Sequence, residues 1–121
     1  MAGTGRLTTH VLDTANGKPA AGMVVSLHRV HDDGSRQELV RVTTNADGRT
    51  DSPLLVGDLL VRGNYELVFE TGPYWRSLGV NTGEPPFLDR IPIAFGIPDP
   101  DAHYHVPLLC SPWAYSTYRG S

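Results

Sequence analysis

Cysteine is nearly missing from this chain. A single thiol, Cys110, excludes an internal disulfide framework and fits a reducing compartment. It lies in the apolar run Val106 to Cys110, which predicts a small buried core residue rather than a nucleophile. No apolar run approaches the ~20 residues that a membrane-spanning helix needs. The opening Met1-Ala2-Gly3-Thr4-Gly5-Arg6 has no apolar signal segment, and no peroxisomal tripeptide closes the chain, so the expected location is the cytoplasm. A formal charge of −3, with no basic stripe and no basic amphipathic helix, argues against nucleic-acid and membrane-surface partners. Neither a repeat nor a linker interrupts the 121 residues, and that length points to one domain over residues 1–121.

What is present is strand patterning. Ile91, Ile93, Phe95 and Ile97 alternate with Pro92, Ala94, Gly96 and Pro98, so one face of that segment is strongly apolar. Tyr65, Leu67 and Phe69 alternate with Glu66 and Glu70 in the same way. Leu7–Asp13, Val24–Val30, Gln37–Thr44, His103–Ser111 and Trp113–Tyr118 read as further strands. Asn16-Gly17, Asp33-Gly34 and Asp47-Gly48 supply turn chemistry between them. The one plausible helix runs from Tyr74 to Gly79, between Pro73 and Gly83. About eight short strands with one helical insert predict an all-β antiparallel sandwich around one core.

A few polar residues stand against that pattern. His10 shares a strand face with Thr8 and Leu12, opposite Leu7, Thr9 and Val11. His103 and His105 point to one face, with Tyr104, Val106 and Leu108 on the other. Two histidines at that spacing can contact one metal ion, but zinc asks for three or four protein ligands, and no Cys/His/Glu cluster supplies the rest. A general base is the other use of such a histidine, since imidazole changes charge near neutral pH. Arg49, just after the Asp47-Gly48 turn, offers a fork of donors for an oxygen-rich anion or a developing oxyanion. The ending Tyr118-Arg119-Gly120-Ser121 packs a phenol, a guanidinium, a free backbone and a hydroxyl where chains usually fray.

Together, His10 in Leu7-Thr8-Thr9-His10-Val11-Leu12-Asp13-Thr14, Arg49 after Asp47-Gly48, the block His103 to Leu109 and the Tyr-Arg-Gly-Ser ending resemble the 5-hydroxyisourate hydrolases. These form the enzymatic branch of the transthyretin-like family, and the resemblance runs from Leu7 to Ser121. It implies a transthyretin-like sandwich that hydrolyses 5-hydroxyisourate to 2-oxo-4-hydroxy-4-carboxy-5-ureidoimidazoline in urate degradation. It further implies a homotetramer with sites at the dimer–dimer interface and no metal or organic cofactor. On the matching positions His10, Arg49 and His105 become catalytic, and Tyr118, Arg119, Gly120 and Ser121 join His10 and Arg49 in holding substrate. His103 matches a position that the family often fills with histidine. Two readings compete: a non-catalytic transthyretin-type carrier of a small aromatic ligand, and a sandwich used for protein–protein binding. The carrier branch lacks the histidine pair, the arginine and the Tyr-Arg-Gly-Ser ending.

Overall fold

The computed structural model describes residues 3–120. Nine strands form two sheets: β1 (Arg6–Asp13), β2 (Lys18–Pro19), β3 (Val24–Val30), β4 (Arg36–Thr43), β5 (Leu55–Val56), β6 (Gly63–Glu70), β7 (Arg90–Ile97), β8 (His103–Cys110) and β9 (Tyr115–Thr117). One sheet has the order β2-β1-β8-β9 with β5 alongside the start of β1, and the other has the order β4-β3-β6-β7. The core is the alternation made solid. Leu7 and Val11 from β1 meet Val25, Leu27, Leu67, Phe69, Ile91 and Leu108, all buried between the sheets. Burying each such side chain contributes roughly 1.5–3 kcal/mol, which sets which face of every strand turns inward.

The expected sandwich differs from the observed one in three details. β1 and β8 pair in parallel, whereas the other pairs are antiparallel. A parallel neighbour needs a long connection, and here almost the whole chain provides it. β2 and β5 are two residues each, too short to show alternation. The helix, α1, spans Thr71–Ser77 and not Tyr74–Gly79. Pro73 falls within its first turn, where a proline's missing N–H costs no helical hydrogen bond, so the proline sits inside the helix and does not precede it.

α1 is tied to β1 at one buried point. The Tyr74 hydroxyl donates to Asp13 Oδ2 at 2.7 Å, and Asn16 donates to the same carboxylate through its backbone and side chain at 2.9 and 2.7 Å. Burial pushes the Asp13 pKa up, but the bonds from Asn16 and Tyr74 outweigh it and hold it below its ordinary value. The neighbouring Cys110 thiol is pushed up to about 12, chiefly by burial and then by Asp13, so it stays protonated in the core. Tyr74→Phe strips one donor from a buried carboxylate and should cost about 1–3 kcal/mol in urea denaturation. Because the folded Asp13 titrates low, its contribution is present at neutral pH. That contribution should fade as pH falls from the ordinary carboxylate range through the lowered folded value. A Tyr74→Phe protein as stable as the parent would remove Asp13 as the anchor.

Candidate active site

The parallel pairing builds the site. Leu7, Thr9, Val11 and Asp13 are buried, so Thr8 and His10 face outward; in β8, Tyr104, Val106 and Leu108 are buried, so His103 and His105 face outward. The register sets Thr8 beside His105 and His10 beside Pro107, one row further along. Thr8 Oγ1 lies 2.8 Å from His105 Nδ1. The two imidazole rings stand 6.5 Å apart, centre to centre, tilted by 39°.

A turn carries Arg49 to the same place. Asn45 Oδ1 accepts the N–H groups of Asp47 and Arg49 at 2.9 and 3.2 Å, and Gly48 N–H donates to Asn45 O at 2.9 Å. Gly48 has φ of +73°, and a Cβ there would meet the Val11 carbonyl oxygen at 2.4 Å. Only glycine lets the turn lie this close to β1. There Val11 N–H donates to Gly48 O at 2.8 Å, and an antiparallel bridge joins His10 to Arg49. His10 Nε2 sits 2.9 Å from the Asp47 carbonyl oxygen. A carbonyl only accepts, so Nε2 carries the proton and the neutral ring leaves Nδ1 bare. The Arg49 guanidinium is exposed and forms no ion pair among the described residues.

The end of the chain closes the other side of His105. Gly120 bridges His105, donating its N–H to the His105 carbonyl at 2.7 Å. A Cβ at Gly120 would stand 2.6 Å from His105 Cδ2, so the imidazole occupies the space of an absent side chain. Tyr118 stands opposite Pro107 in the register that runs from Leu108–Thr117 to His105–Gly120. Arg119 turns away from the histidines. Its guanidinium lies 4.5 Å over the Tyr104 ring and donates to the His103 carbonyl at 3.2 Å. Tyr118 and Arg119 border a second cleft of about 410 Å³ with Ile93, Phe95 and Val106. His103 is exposed one row beyond His105, its Nε2 donating to Thr4 O at 3.1 Å. Ser121 lies outside the described residues.

His10, Arg49, His105 and Gly120 are thus brought together, while Tyr118, Arg119 and His103 stand at the margins. A cleft of about 450 Å³ runs beside them, bordered by Arg6, Thr8, Arg49, Asp51, Ser52 and His105, large enough for a small flat molecule. Thr8 was readable as a neighbour of His10 on one strand face, but its bond to His105 was not. Asp51 and Ser52 carried no signal. Burial, then the Arg49 charge, then His10 lower the pKa of His105, so its ring is neutral at neutral pH. Among the described residues no three His, Cys, Asp or Glu side chains converge as a metal site.

Residues 7–120 match the family model described as Transthyretin: HIUase/Transthyretin family. The chain belongs to this family. Along the full length of both proteins it is 56% identical over 122 residues to 5-hydroxyisourate hydrolase 2 of Rhizobium meliloti (strain 1021). Among solved structures, a Klebsiella pneumoniae 5-hydroxyisourate hydrolase superposes with a TM-score of 0.79 at 37% identity, covering 96% of this chain and 99% of that one. An (S)-allantoin synthase superposes with a TM-score of 0.93 at 50% identity. The match covers 98% of this chain but only 44% of that longer protein. For this HIUase/Transthyretin family member, Gly120→Ala should leave the sheets intact and displace the His105 ring. Circular dichroism should be unchanged while the His105 side-chain signals move in heteronuclear NMR. Unmoved signals would mean that the ring does not depend on the missing Cβ.

Proposed function

We propose that this chain hydrolyses 5-hydroxyisourate, opening the six-membered ring to 2-oxo-4-hydroxy-4-carboxy-5-ureidoimidazoline. The observation that carries the reading is a neutral imidazole, His105, facing an unpaired guanidinium, Arg49, across one cleft of about 450 Å³. The full-length similarity to proteins named 5-hydroxyisourate hydrolase supports the same substrate.

In this mechanism His105 takes a proton from water as the oxygen attacks a ring carbonyl, which is worth about 10²–10⁴-fold for a well-placed base. Arg49 stabilises the oxyanion of the tetrahedral intermediate, worth about 3–4 kcal/mol for one good donor in a dry site. His10, held through Nε2 by Asp47 O, has Nδ1 free to pass a proton toward the leaving ring nitrogen when the imidazole is charged. The amide bond then breaks, and the two histidines return to their starting states by exchange with solvent. By the family resemblance Tyr118, Arg119, Gly120 and Ser121 supply substrate contacts in this reading, with His103 at the margin.

The chain works as a homotetramer in this reading, with the site completed at the dimer–dimer interface, and acts in the cytoplasm. Its support is an exposed aromatic cluster: Phe87 and Trp113, 5.9 Å apart and more than half exposed, with Tyr115 nearby in β9. Clustered solvent-facing rings are a feature of protein–protein contact surfaces.

The test is the ultraviolet decay of freshly generated 5-hydroxyisourate with and without protein. His105→Asn and Arg49→Gln should each lower kcat/KM by roughly 100-fold or more. No acceleration by the parent protein would overturn the hydrolase reading. The acid limb of kcat/KM should lie below about 6.5, the ordinary histidine value, because His105 must be neutral to act. Removing the Arg49 charge takes away one cause of the depression. NMR titration of Arg49→Gln should therefore show the His105 pKa rising toward that ordinary value.

A further inference from the structure

We infer that Thr8 is a positioning residue that sets the tautomer of His105, accepting a hydrogen bond from Nδ1–H so that Nε2 presents a bare lone pair to the cleft. The inference rests on the hydrolase reading only for its consequence in turnover.

The argument begins with the corners of the imidazole. Nδ1 is taken by Thr8 Oγ1 at 2.8 Å, and Cδ2 is taken by Gly120, where even one added carbon would stand 2.6 Å away. Nδ1 and Cδ2 flank the carbon joined to the side-chain stem, so the ring is gripped at its base on both sides. Nε2 is the nitrogen left over, and it has no hydrogen-bond partner among the described residues. Only that nitrogen can reach a water in the cleft.

A threonine hydroxyl can donate or accept, so the contact alone permits two tautomers. If Thr8 donates to Nδ1, the ring proton sits on Nε2 and the accessible corner is an N–H, useless as a base. If Thr8 accepts from Nδ1–H, Nε2 is bare. Two features select the second arrangement. Arg49 borders the same cleft and carries only donors, so it favours a lone pair over another N–H on the ring corner that faces the open space. The accepting role also survives proton uptake at Nε2, because the imidazolium still donates from Nδ1 and no hydroxyl rotation is needed. Thr8 has no other side-chain hydrogen bond among the described residues, and its own proton is free to point into the cleft it borders. The strand register keeps this pair together, since Thr8 and His105 are directly paired though 97 residues apart.

The test compares Thr8→Val, which keeps the branched shape without the hydroxyl, with Thr8→Ser, which keeps the hydroxyl. Histidine-labelled protein without substrate is read by long-range ¹H–¹⁵N NMR, with His105→Asn identifying the His105 signals. The parent and Thr8→Ser should show the Nδ1–H form of His105, and Thr8→Val should shift it toward the Nε2–H form. Turnover of 5-hydroxyisourate should fall about 10- to 100-fold in Thr8→Val, the range for losing a group that orients a histidine, and be largely restored in Thr8→Ser. An Nε2–H form in the parent protein, or a Thr8→Val protein with the parent's tautomer and rate, would overturn the role. The tautomer is read without substrate, so a protein that fails to hydrolyse 5-hydroxyisourate would sink the hydrolase reading and still leave this one decided.

Discussion

Everything at the site depends on β1 and β8 lying side by side, parallel and in one register. A slip of β1 by one residue would turn His10 into the core and bring Thr9 to the surface, and a slip of β8 would do the same to His105 and Val106. The cost of such a slip is written in the buried groups. Thr9 is 1% exposed, and its hydroxyl donates to Val106 O at 2.7 Å, a bond between neighbouring strands that a shift would break. At the end of the same strand, Asp13 is held from three directions by Asn16 and Tyr74. Hydrophobic burial chooses the face, and these two polar anchors choose the row.

Two imidazoles on one surface would be poor partners if they were equivalent, because like groups titrate together and repel when charged. Their surroundings make them different. His10 is fastened through Nε2 to the carbonyl of the turn that also carries Arg49. His105 is fastened through Nδ1 to a threonine and has Gly120 against its flank. Each ring therefore offers a different nitrogen, and burial with Arg49 close by lowers the pKa of His105. The proposed division of labour between acid and base rests on where each ring is tied. Two identical residues can take opposite roles in this way.

Much of this was legible in the residues themselves. Alternation showed that His10, His103 and His105 face outward, because the apolar residues between them must face inward. Asp47-Gly48 showed where a turn would deliver Arg49, and Gly48 has the positive φ such a turn needs. What could not be read was register between distant strands. Nothing local says that Thr8 lies beside His105 and not beside His103, or that the pairing is parallel. The tail was legible as unusual, but not that residues 119 and 120 would face opposite ways. Gly120 thus reaches His105 while Arg119 stacks on Tyr104. The helix starts three residues earlier than its sequence predicts because Pro73 belongs to its first turn and is not its boundary.

The contribution of the tail is chiefly one of backbone and absence. Gly120 gives His105 one hydrogen bond and a vacant Cβ position, and neither depends on a side chain. A three-residue strand such as β9 is a weak anchor, with only Thr117 adding a side-chain bond, to Pro107 O at 2.7 Å. Arg119 adds its guanidinium on the Tyr104 ring, a contact worth roughly 0.5–1 kcal/mol at an exposed site. That contact lies one residue from Gly120. Side chain and backbone of neighbouring residues thus reach different places: the Arg119 guanidinium packs on Tyr104, while the Gly120 N–H bonds the His105 carbonyl.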